Sequence, residues 1–113
     1  MSTIKSFTSL EQSKKLAKIL PLESADMYLY LATKGNPKAM FNEGYNEYGD
    51  FELPCWSLAS LLGVLKDYTL QTNTDGTVFV VCESKKPIIS DFYNNPVDAC
   101  VAMILKLNEL NLL

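Results

Sequence analysis

Asn95-Pro96-Val97-Asp98-Ala99-Cys100-Val101-Ala102-Met103-Ile104-Leu105-Lys106-Leu107 decides much of the fold. Asparagine caps a helix start well. Proline suits the first helical position, where an N–H would go unpaired anyway, and Asp98 sets an acid against the positive end of the helix dipole. The helix so opened runs to about Asn111. Val97, Cys100, Val101, Ile104 and Leu107 share one face of it, an apolar stripe that needs a sheet to cover. The preceding segment supplies that sheet. Tyr68–Thr72 and Thr77–Glu83 alternate around Asn73-Thr74-Asp75-Gly76, whose Asp-Gly pair is a hairpin signal. Pro87–Tyr93 adds an edge strand.

Working outward, Leu58, Leu61, Leu62 and Leu65 fall at i, i+3, i+4 and i+7. That spacing predicts an amphipathic helix to about Lys66, opened by Pro54, Cys55 or Ser57. Near the N-terminus, Thr8 with Glu11 and Ser9 with Gln12 are two registers of a capping box, a hydroxyl followed three residues later by a carboxylate or amide. The helix spans 9–20, with Leu10, Leu16, Ala17, Ile19 and Leu20 as its stripe, and Pro21 ends it. Residues 26–33 alternate Met27, Leu29 and Leu31 with Tyr28, Tyr30 and Ala32, which argues a strand; a continued helix is the rival. Between Lys34 and Pro54 the pattern is lost, leaving a loop or a short hairpin built on Phe41 and Tyr45. The order is α-β-(loop)-α-β-β-(β)-α. It predicts one α+β domain over 1–113: a small, mainly antiparallel sheet of three to five strands with about three helices on one face.

Composition narrows the chemistry. The 113 residues are 48% apolar and 20% charged, which is enough for a core in one domain. The net charge is −3 and every basic residue is lysine. Without arginine, the usual reader of guanine edges and clamp for phosphate, nucleic acid is disfavoured as a partner. There is no histidine, which removes Ser-His-Asp and Cys-His nucleophile systems and all His-containing metal sites. Cys55, Cys82 and Cys100 are widely spaced and form no CxxC pair. The chain starts without a signal-peptide core and has no run of eighteen apolar residues, so a reducing cytoplasm and no membrane partner are expected.

Three stretches carry a resemblance. Ser9 through Tyr28, Pro54-Cys55-Trp56-Ser57-Leu58-Ala59, and Asn95-Pro96-Val97-Asp98-Ala99-Cys100 through Leu113 together span about half the chain. They resemble a family of small uncharacterised proteins from prophage and mobile-element regions of gut anaerobic bacteria. The resemblance implies a bacterial or phage origin and no particular activity, and Lys34–Glu52 lies outside it.

Among candidate chemical groups, Cys55 is the sharpest, because a thiol at a helix start has a lowered pKa. Against it stand the absent histidine, the lack of any basic residue between Lys38 and Lys66, and the nearby acids Asp50 and Glu52. The alternative is that Cys55 and Trp56 plug one end of the core; Cys82 and Cys100 read as core packing. Glu43, Glu47, Asp50 and Glu52 offer oxygen ligands or an acid–base pair, but their spacing departs from an EF-hand loop. Lys14, Lys15 and Lys18 read as the wet face of the first helix. Tyr45, Tyr48 and Phe51, set among Glu47 and Asp50, have the chemistry of a protein-binding loop over 42–52: rigid aromatic contact area beside polar groups. The expectation is a non-enzymatic interaction or accessory module that binds a protein through that loop. No cofactor, metal or catalytic residue is assigned, and oligomeric state is left open. The alternative is a small enzyme, or a metal- or ligand-binding protein, using Cys55 or the acidic segment 43–52.

Overall fold

The computed structural model describes residues 5–31, 38–41, 52–65, 67–82 and 87–113. Among these residues three α-helices and six strands follow in the order α1 (Leu10–Ala17), a 3-10 turn (Leu22–Ser24), β1 (Met27–Tyr30), β2 (Lys38–Phe41), β3 (Glu52–Cys55), α2 (Leu58–Val64), β4 (Tyr68–Thr72), β5 (Val78–Cys82), β6 (Ile88–Ile89) and α3 (Pro96–Glu109). The class is α+β, as expected. All strand pairs are antiparallel, and the strands divide into two sheets of three, ordered β2-β1-β3 and β4-β5-β6.

Local signals set the helix ends. Ser9 caps α1, and Gln12 completes a reciprocal capping box, the second of the two registers. Ser57 caps α2, accepting from the Ser60 N–H, so Cys55 is not at the helix start: it ends β3 two residues earlier. Asn95 accepts from the Asp98 N–H at 2.9 Å, with Pro96 at the first position of α3. At its far end Asn111 is left-handed (φ 58°). The N–H of Asn111 reaches Asn108 O and that of Leu112 reaches Leu107 O, the paired bonds of a Schellman close.

The first sheet corrects the reading of 34–54 as loop. Its two ends are strands, and both pair with β1: Leu29 lies opposite Ala39 on one side and Leu53 on the other. The pattern was hard to read because β2 buries little, with Lys38, Met40 and Phe41 all exposed. The alternative of a short hairpin on Phe41 and Tyr45 lies outside the described residues, since Tyr45 is not among them.

Two buried clusters follow. The larger joins Leu16 of α1, Leu20 three residues past the end of that helix, Trp56, Leu61, Val78 and Val80 to the stripe of α3, where Val97, Cys100, Val101, Ile104 and Leu107 are all buried. The smaller packs Met27, Leu29 and Cys55 under Leu10, Ala39 and Leu53. Neighbouring residues 55 and 56 therefore belong to different cores. Residues 6–8 run antiparallel to 56–58, bonded through Thr8 N to Trp56 O and Leu58 N to Ser6 O, and tie the junction.

Candidate functional site

Each thiol is taken up by packing. Cys55 is fully buried, with its Sγ 3.5 Å from both Thr8 Oγ1 and the Thr8 carbonyl. Thr8 Oγ1 also shares a 2.8 Å hydrogen bond with Ser13 Oγ and accepts from the Trp56 N–H. Burial pushes the Cys55 thiol above its ordinary pKa and the Asp26 charge adds to this, while the Thr8 and Ser13 hydrogen bonds oppose it without prevailing. Such a thiol is a poor nucleophile and has no access to a substrate. The core-plug reading of Cys55 and Trp56 is the one that fits. Cys82 and Cys100 are also buried, and burial alone lifts Cys100 to about 11.

Asp26 and Ser57 form the pair closest in type to acid–base machinery. The Asp26 carboxylate accepts from the Ser57 N–H and from its hydroxyl. With no histidine to relay a proton, the pair acts as a clasp on the α2 N-terminus. Nearby, Trp56 Nε1 donates to Ser24 Oγ at 2.9 Å.

The acidic aromatic segment was the leading sequence candidate. Tyr45, Glu47, Tyr48, Asp50 and Phe51, together with Glu43, lie outside the described residues. Glu52 is within them, half-buried in β3 opposite Tyr30. No three His, Cys, Asp or Glu side chains gather to hold a metal ion among the described residues. Lys14, Lys15 and Lys18 are exposed along α1, the wet face expected of them. No described helix is long and apolar enough to cross a membrane.

What the sequence reading missed is the outer face of the second sheet. The inner face carries Val78, Val80 and Cys82, with Tyr68, Leu70 and Ile88 opposite them, toward α3. The other face is only partly polar. Thr69, Val81 and Ile89 form one cross-strand row, and Gln71 and Phe79 form the next. Phe92 packs on Phe79 with ring centroids 5.2 Å apart at 51°. Phe92 is 62% exposed and Ile89 49% exposed. An antiparallel sheet with one wet face should alternate apolar and polar. Val78-Phe79-Val80-Val81-Cys82 is apolar at every position, and that unbroken run was the available signal.

Comparison with protein-family models, with curated proteins and with solved structures finds no match to this chain.

Proposed function

We propose that this protein is a non-enzymatic interaction module that docks on a protein partner through the outer face of β4-β5-β6. The observation that carries the reading is exposed Phe92, packed on half-buried Phe79, together with exposed Ile89 beside half-buried Val81. Leaving a large aromatic ring and an isoleucine in water is unfavourable by about 25 cal/mol per Å² of apolar surface. Contiguous apolar faces of this kind mark contact sites, and aromatic residues anchor them. The patch is small against the roughly 800 Å² per partner of a standard interface, so the contact extends beyond it. Tyr45, Tyr48 and Phe51, with Glu47 and Asp50, are a second candidate contact, supported by sequence chemistry alone. The sequence resemblance supports a role as an accessory protein of a mobile element or phage. A cytoplasmic setting suits the three buried cysteines, none of which is in a disulfide.

The test pairs two double variants in quantitative pull-downs from the native host. Ile89→Lys with Phe92→Ser keeps the fold and loses a partner that the unmodified protein retains. Tyr45→Ala with Tyr48→Ala asks the same of the 42–52 segment. If the sheet variant folds normally and retains every partner, the outer face is not the docking surface.

A further inference from the structure

A cleft beside the sheet-facing stripe of α3, with Val101 at the edge of both, has the chemistry of a ligand site. It is an open groove of about 420 Å³ between the N-terminal segment, α1 and α3, with Tyr93 on its wall. That volume falls in the range of small-molecule clefts. Val101, Ala102 and Leu105 line its apolar part, while Lys5, Lys15 and Asp98 supply charge.

The charges are not equivalent. Asp98 Oδ1 accepts from Lys5 Nζ and Gln12 Nε2, each at 2.7 Å, and Oδ2 accepts from Asn95 Nδ2 at 2.8 Å. The carboxylate is thus satisfied on both oxygens and paired with Lys5, which leaves it little to offer a cation. Lys15 is exposed and has no ion pair among the described residues, although Glu11 lies one turn before it. Lys14 and Lys18 flank it on the same helix. The overall charge of −3 opposes an anion from a distance, but screening confines that effect to about 10 Å at 0.1 M salt, within which the lysines of α1 dominate.

We infer that this cleft binds a small amphipathic carboxylate, with the acid group on Lys15 and the apolar body against Val101, Ala102, Leu105 and Tyr93. An ammonium compound would meet Lys15 as a like charge, and a neutral one would lose the ion pair. The site is separate from the β4-β5-β6 face, so either reading stands if the other fails.

Octanoate, below its micelle concentration, is the probe, with octanol and octylammonium as charge controls. Backbone amide shifts of the labelled chain should move saturably at Lys15, Val101, Ala102 and Leu105. Affinity should fall in the order octanoate, octanol, octylammonium. Lys15→Gln, at an exposed position, should weaken octanoate about two- to fivefold, as one solvent-exposed ion pair warrants. Ala102→Leu fills the floor and should abolish saturation while the rest of the spectrum stays native. Equal binding of octanol and octanoate, an unaffected Lys15→Gln variant, or shifts confined to Phe79, Ile89 and Phe92 would each overturn the assignment.

Discussion

At the scale of single residues, Cys55 and Asp98 show how position changes chemistry. Read along the chain, Cys55 stands beside a helix start; in space it is sealed under Thr8 and Ser13. Thiolate is the reactive form, and burial disfavours it. Cys55 should therefore react with a neutral alkylating reagent no faster than a free small-molecule thiol at pH 7. Rapid labelling at this one site at pH 6 would contradict that. Asp98 goes the other way. Burial alone would raise its carboxyl, but hydrogen bonds from Lys5, Gln12 and Asn95, with the Lys5 charge, hold it below the usual carboxylate range. A carboxyl with a lowered folded pKa contributes stability that is complete above its unfolded value, near 4, and is lost as pH falls through the folded one. Asp98→Asn should cost about 1–2 kcal/mol at pH 7. In urea titrations the gap to the unmodified protein should close as pH is lowered from 5 to below 4. A gap that stays constant with pH would mean that charge plays no part.

At the scale of elements, caps and stripes were legible because they are local. The Ser9 box, the Asn95-Pro96 start and the Asp75-Gly76 turn each act within four residues, and each appears where the sequence places it. Gly76 sits at φ 90°, the conformation for which the turn needs glycine. The stripe of α3 makes a sharper prediction. Ile104 is fully buried against the larger core. Ile104→Ala should cost about 2–5 kcal/mol and Ile104→Val about 0.5–1.5, measured by chemical denaturation. A loss below half a kcal/mol for the alanine variant would remove that face from the core. The weaker signals gave poorer boundaries. Among the described residues the 26–33 strand covers Met27–Tyr30, and 87–93 shortens to Ile88–Ile89 with a single bridge from Tyr93 to Val78. Strand ends depend on partners, and partners are distant in sequence.

At the scale of the molecule, the question is whether two sheets and two clusters behave as one unit. Trp56 sits at their junction, fully buried and hydrogen-bonded to Ser24, with Cys55 on one side and α3 on the other. The α1 helix spans both, with Leu10 against the smaller cluster and Leu16 in the larger. The small cluster has too few buried side chains to stand alone, so it should unfold with the large one. Fluorescence of Trp56, the sole tryptophan, and far-ultraviolet circular dichroism should then report one coincident urea transition. A dichroism loss that precedes the fluorescence change would show the first sheet opening by itself.

The sequence alone determined the helix starts, the β4–β5 turn, the apolar face of α3 and the α+β class, since propensity, capping and periodicity act over a few residues. It also removed histidine-dependent chemistry by composition. Tertiary structure decided the rest. It recruited β2 and β3 as partners of β1, split the strands into two sheets, sealed Cys55, and gathered Lys5, Gln12 and Asp98 from three separate segments. It also left one face of β5 only half-covered although that strand is apolar throughout. A period of two assigns side chains to alternate faces, but only the packing of distant elements determines which faces are covered.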